Sequence, residues 1–252
     1  MKWAIEIQKT SLQERNLRDL LRGIGLDLLK GVEYPALTSS SIDACETAAE
    51  AFEIAKEVRA VFKGPAKIDP EFGLGSVIDF STTPPRRHAF LEVDSCVMKI
   101  AMGTVTLTIS PPSGLSPAEL ARWNEENEER QYQASLERQR ALLEPAYLNP
   151  RAAKAIELLS IEAPSGETLY KIYELAEGHP NNRAAFHAEF SIDKDQFNRF
   201  KDAVHNPSVS GDWARHAYHG KLNSTAPMTK AEAEQFVRGI ADEWLKSIRR
   251  RK

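Results

Sequence analysis

The sequence predicts an α+β chain: a mixed sheet with two helices over residues 1–112, a long polar helix over 113–145 that connects onward, and an all-α unit over 146–252. Three observations carry that prediction. Strand-like runs alternate with amphipathic segments before residue 110, a stretch of charged and amide residues with helix-start punctuation fills 117–144, and every periodic segment after it has helical spacing. With 252 residues, 42% hydrophobic and 27% charged, the chain has material for one large or two modest cores, and disorder is not the default.

Residues 3–7 read as a short strand. Ser11 and Glu14 have the spacing of a capping box and predict a helix with Leu12, Leu17, Leu20, Leu21 and Ile24 on one face, closed by Gly23 and Gly25. Residues 28–37 return as a second strand. The serines at 39–41 then cap a helix over 42–62, whose Ala48, Phe52, Ala55, Val58 and Phe62 repeat on one side. Past the Pro and Gly punctuation of 64–75, three strand-like runs follow at 77–80, 89–93 and 104–109. This order is compatible with a ferredoxin-like sandwich, a superfold that hosts unrelated activities and so implies none.

The central helix starts at Ser116, with Pro117 at the first helical position and Glu119 completing a capping box. Its apolar residues, Leu120, Trp123, Tyr132, Leu136, Leu142 and Leu143, are too sparse for a core-facing stripe, so it is expected to be long and exposed. Glu126 and Arg130 stand one turn apart as an ion pair. No heptad is sustained, because the 3-4 spacing from Leu120 and Trp123 soon meets Asn127, Arg130 and Glu137. Such a helix bridges two units, or offers 117–144 to a protein partner or to self-association.

The remainder is helical: a segment from Asn149-Pro150 through Leu159, another over 168–176 ending at Gly178-His179-Pro180, and a last one opened by Thr229 and Glu232. Between them, Phe186, Phe190, Ile192 and Phe197 have the spacing of a helix-turn-helix, with Asp193 capping the second helix and Gln196, Asn198, Arg199 and Lys201 turned outward. Those side chains are of the types that read base edges or hold phosphates. Two departures weaken the match: His187 stands where a small residue is usual, and Ser191 where the turn glycine belongs. Asp195 and Asp202 on the second helix would also repel phosphate.

Two anion-binding candidates stand apart from that segment. Arg86, Arg87 and His88, in a polar connection over 82–88, offer fork-shaped donors to a phosphate or carboxylate, unless the arginines simply pair with Glu92 or Asp94. Arg215 and His216, with His219 nearby, form the second cluster. A metal is not expected there, because His216 and His219 supply two ligands without a third. The strand carboxylates Asp79 and Glu92 are not assigned an acid and base role. Gly73 and Gly75 precede a strand, without the strand-to-helix context of a nucleotide-binding loop. No catalytic residue and no cofactor is expected.

The formal charge is −3, and 16 basic against 14 acidic residues after position 144 leave +2 there and −5 before it, too small an asymmetry to imply a general polyanion binder. The basic run at 249–252 complements the last helix's dipole. Cys45 and Cys96 lack a CxxC or secretory pattern, the N-terminus lacks a signal-peptide run, and no stretch of about 18 apolar residues exists. The expectation is a cytoplasmic protein with reduced thiols and no membrane association. From Gly211 onward, Ala214-Arg215-His216-Ala217, Pro227-Met228, Glu232-Ala233 and the Phe236 to Trp244-Leu245 spacing resemble the ends of uncharacterised bacterial proteins. That resemblance covers about 40 residues and implies a bacterial origin and no activity. The sequence is therefore read as a non-catalytic binding or adaptor protein with nucleic acid as the favoured ligand. The alternatives are an enzyme acting on a phosphorylated or carboxylated small molecule, or an assembly subunit using the central helix.

Overall fold

The structure, a computed structural model, describes residues 1–29, 33–90, 111, 115–216 and 221–251. Strand β1 (Trp3–Lys9) is central, and its alternate residues Trp3, Ile5 and Ile7 enter the first hydrophobic core. Helix α1 (Glu14–Gly23) contributes Leu17, Leu20 and Leu21 to that core, and α3 (Ala48–Lys63) contributes Ala51, Phe52, Ala55, Val58 and Phe62. Strands β2 (Asp27–Leu29), β3 (Ala36–Thr38), β4 (Gly73–Asp79) and β5 (Arg86–His88) complete an antiparallel sheet in the order β2-β3-β1-β4-β5. The first four strands, with α1 after β1 and the short α2 (Ser40–Asp43) plus α3 after β3, have the split βαββαβ order of a ferredoxin-like sandwich. Strand β5 is added outside β4.

Several local expectations are corrected here. Ser11 does not cap α1. The buried Asp69 carboxylate takes its hydroxyl at 2.9 Å and its N–H at 3.1 Å, and takes the Thr10 hydroxyl at 2.6 Å. Helix α1 begins at Glu14, behind a Gln13 cap that makes no side-chain hydrogen bond. The single strand expected at 28–37 is a hairpin, with Leu28 opposite Leu37. The helix expected over 42–62 is two helices, because the Cys45 carbonyl leaves the helical ladder to accept Trp3 Nε1 at 2.9 Å and Lys2 Nζ at 2.8 Å, and Thr47 starts α3 anew. Arg86 to His88 form β5 itself, with Ile78 opposite Arg87, so they are strand and not a connecting loop. Ala89 and Phe90 follow that strand, Phe90 stacking on Phe52 at 4.4 Å, while most of the runs at 89–93 and 104–109 lies outside the described residues. Gly75 lies within β4, where a Cβ would stand 2.7 Å from Gln8 Cγ on the neighbouring strand.

Helix α4 (Pro117–Leu148) has the expected capping box at Ser116 and Glu119 but continues through Pro145 to Leu148. Its first half, 117–131, is exposed except for half-buried Trp123 and Asn127. Its second half is partly buried: Leu136 and Leu143 enter the sheet core, and Ala146 enters a second core, while Leu142 and Leu148 stay exposed. Glu126 pairs with Arg122 Nε at 2.9 Å, while Arg130 donates to the Glu126 carbonyl at 3.2 Å. Asn149 closes α4 and caps α5 (Pro150–Leu159), with Pro150 at the first position.

The second core is built by α5, α6 (Gly166–Glu177), α7 (Arg183–Glu189), α8 (Lys194–His205) and α10 (Lys230–Arg250), with the short α9 (Pro207–Ser210), which buries no residue, following α8. Phe186, Ile192, Phe197, Phe200, Tyr173, Val237 and Trp244 are among its buried members. Val61 packs against both cores, and Lys67 Nζ donates to Ser160 Oγ at 3.0 Å between them. Among the described residues no helix is long and apolar enough to cross a membrane.

Candidate binding groove

The structure assigns most of the cationic side chains singled out in sequence to partners within the chain. Arg87 meets carboxylates among the described residues, whereas the expected Glu92 and Asp94 lie outside them. Its fork grips Glu33 Oε2 at 3.0 Å and lies 2.9 Å from Oε1 of Glu6, a carboxylate buried in the central strand. Arg86 is exposed at the sheet edge. His88 turns inward, its ring 5.9 Å from Trp3 and its Nε2 buried without a hydrogen-bond partner among the described residues. Arg215 lies over the Tyr170 ring at 4.8 Å and 3.7 Å from Glu174, and His216 packs on His205 with ring centroids 4.7 Å apart. The first cluster belongs to the sheet and the second to the helical core, so they do not converge. His219 lies outside the described residues, and no metal-competent group of His, Cys, Asp or Glu occurs among the described ones.

The helix-turn-helix candidates divide similarly. Helices α7 and α8 are joined through Ser191, which takes the left-handed conformation (φ 53) that a turn glycine would supply. The Ile192 N–H reaches back to the His187 carbonyl at 2.8 Å, the outer hydrogen bond of a Schellman end. On α8, Gln196 is exposed and Asn198 and Lys201 are half-buried. Arg199 is engaged: its Nε donates to the Ala226 carbonyl at 2.7 Å and its Nη2 stands 3.9 Å from Glu232. Asp202 presents no charge to a ligand, because it is buried and accepts the Asn223 and Ser224 backbone N–H groups at 2.8 and 2.7 Å. The basic end of α10 is also engaged, Arg249 with Glu137 and Glu144 and Arg251 with Glu189.

A concave surface with exposed cationic side chains lies elsewhere, between α5 and α6. A cleft of about 710 Å³ is lined by Arg151, Lys154 and Leu158 from α5, by Lys171, Glu174 and Leu175 from α6, and by Gly178, His179 and Pro180 beyond it. On each helix the spacing is i, i+3 or i+4, i+7, which brings these side chains to one face. The rim carries three formal positive charges against the single carboxylate of Glu174, and the two leucines and the proline supply the apolar floor. Gly178 has φ 78, and its N–H closes α6 on the Glu174 carbonyl at 2.9 Å. A Cβ there would collide with the Arg151 guanidinium, which lies against this backbone and 5.9 Å over Trp244. Arg151 has no carboxylate partner among the described residues.

Lys154 and Lys171 each reach a glutamate on their own helix, Glu157 at 3.0 Å and Glu167 at 2.7 Å. Both pairs are exposed and one turn long, a geometry worth a few tenths of a kcal/mol. An incoming carboxylate can therefore replace the glutamate at little cost. The Lys171 hydrogen bond holds the Glu167 carboxyl below its ordinary range. Neighbouring Glu177 faces inward, where it accepts Arg183 Nη2 at 3.0 Å and the Tyr173 hydroxyl at 3.1 Å. Tyr173 also meets His187 Nε2 at 2.7 Å. Burial, then the Glu177 charge, pushes the Tyr173 phenol well above its usual value, and burial lowers His187. This network joins α6 to α7 and lines no part of the cleft.

Sequence reading passed over the cleft because its signal is two ordinary amphipathic faces. Arg151, Lys154 and Lys171 read as solvated charges until the two helices are placed side by side. Comparison of the chain with protein-family models, with curated proteins and with solved structures finds no match.

Proposed function

We propose that this protein is a non-catalytic binding protein that holds an acidic partner segment in the α5–α6 cleft. The carrying observation is the set of Arg151, Lys154 and Lys171 around Leu158, Leu175 and Pro180. A basic rim over an apolar floor between two helices suits an amphipathic acidic helix, whose apolar face lies on the floor while its carboxylates meet the rim. The free thiol of Cys45 fits a cytoplasmic setting.

Anisotropy titration of a fluorescein-labelled leucine and glutamate amphipathic peptide tests this reading. We expect salt-sensitive binding that weakens tenfold or more in Lys154→Glu with Lys171→Glu. Affinity unchanged by those substitutions overturns it.

A second reading, nucleic-acid binding through α7 and α8, is favoured by the left-handed turn at Ser191. The same titration with short duplex and single-stranded oligonucleotides at two salt concentrations decides between them. Binding lost in Gln196→Ala with Lys201→Ala, and kept in the cleft variants, supports α8 as the contact.

A further inference from the structure

We infer that the acidic segment received by the α5–α6 cleft is the first half of α4, residues 117–131, from a second copy of the chain. This inference rests on the binding reading above and names its partner.

The segment has the required chemistry. It carries Glu119, Glu125, Glu126, Glu128 and Glu129 against Arg122 and Arg130, so it is acidic where the cleft rim is basic. Leu120 is 37% exposed, and Trp123 stands one turn further on the same side. Glu125 and Glu128 have no ion-pair partner among the described residues. The Ser116 capping box fixes one end of the segment, and the packing of Leu136 and Leu143 anchors the helix beyond it. It is thus ordered before any partner arrives, which lowers the entropic cost of docking.

A chain cannot place this segment in its own cleft. α4 and α5 are separated by the single residue Asn149, and α4 is continuous to Leu148. At about 1.5 Å per residue, position 131 lies roughly 28 Å along the helix from the start of α5, pointing away from it. Folding back would break the turns that carry Leu136 and Leu143 into the sheet core. The acceptor and donor surfaces therefore meet only between two molecules. The contact is heterologous, helix to cleft, so its growth depends on concentration and yields rings or chains.

Sedimentation velocity over a micromolar concentration series tests this with the full chain. We expect association that weakens with salt. Glu125→Lys with Glu128→Lys removes the helix surface, and Lys154→Glu with Lys171→Glu removes the cleft surface. Each pair of substitutions alters exposed charges and should leave the melting transition in place while raising the dissociation constant Kd tenfold or more. Mixing the two variants in equal amounts should restore association, because one molecule still offers the native helix and the other the native cleft. A wild type that stays monomeric to about 100 µM overturns the inference, as does association that survives in the cleft variant or fails to return on mixing. The labelled amphipathic peptide separates the two levels. A monomeric chain that still binds it through Lys154 and Lys171 sinks only the second copy as partner, whereas loss of both sinks the cleft as well.

Discussion

Asp202 Oδ2 accepts the backbone N–H of Ser224 at 2.7 Å, tying the segment after residue 220 to the middle of α8. The same carboxylate takes the Ser224 hydroxyl at 2.9 Å and the Asn223 side-chain amide at 2.7 Å. Arg199, one turn earlier, holds the Ala226 carbonyl, and its own carbonyl accepts the Met228 N–H at 3.2 Å. Arg199 and Asp202 of a would-be recognition helix are thus the means by which α8 retains the approach to α10.

Replacing Asp202 tests that role. Asp202→Asn sets an amide N–H₂ against donors that need an acceptor, and should cost about 2–3 kcal/mol of stability. The expected sign is a lower urea midpoint with little change in the denaturant slope. Ser224→Ala, which leaves the backbone bond in place, should cost under about 1 kcal/mol.

Ser191 holds φ 53, a conformation that strains an L side chain by roughly 1–2 kcal/mol. Ser191→Gly removes the strain but loosens the unfolded chain, so the expected net effect is neutral to about 1 kcal/mol stabilising. Ser191→Val should destabilise, since a β-branched residue resists that region more strongly. Thermal melts of the two variants check the opposite signs.

The Glu177–Arg183 pair is unequally buried, the carboxylate side chain 1% exposed and the guanidinium 38%. Removing Glu177 lets Arg183 turn to water, whereas removing Arg183 strands a buried carboxylate with the Tyr173 hydroxyl. Arg183→Met should therefore cost about 2–3 kcal/mol at pH 7 and Glu177→Met less. Chemical denaturation at pH 7 measures both differences.

His205 is driven down to about 4, first by burial and then by the charges of His216, Arg215 and Lys201, with Asp202 opposing them. Its ring stands edge-on to Tyr170 at 4.3 Å, and its Nε2 is buried without a hydrogen-bond partner among the described residues. The folded state therefore prefers the neutral ring. The contribution is fully present above the unfolded value near 6.5 and is lost as pH falls from there through about 4. Its size is on the order of 1–3 kcal/mol. His205→Gln should flatten the fall in melting temperature between pH 7 and pH 4.5; an unchanged pH profile would contradict this account.

How much was legible in sequence varied with the range of the interaction involved. The capping boxes at Ser116 and Thr229 formed as read, because each needs only residues three apart. The box at Ser11 did not form, since Asp69, 58 residues away, takes its hydroxyl and N–H. The long helix was expected to end before Pro145, yet it runs through that proline, which is buried where the two cores meet. Of the binding candidates, Arg87 met Glu6 and Glu33, partners that only the sheet register brings close.

The sequence by itself determined the α+β class, the long central helix and the apolar faces of the amphipathic helices, because these follow from periodicity and caps within a few residues. The tertiary structure alone decided which charges remain available to a partner. An arginine's engagement depends on carboxylates and carbonyls brought near it by packing, as Arg199 shows with Ala226 and Arg249 with Glu144. The α5–α6 cleft likewise exists only once two helices lie together, with Gly178 admitting the Arg151 guanidinium against the backbone between them.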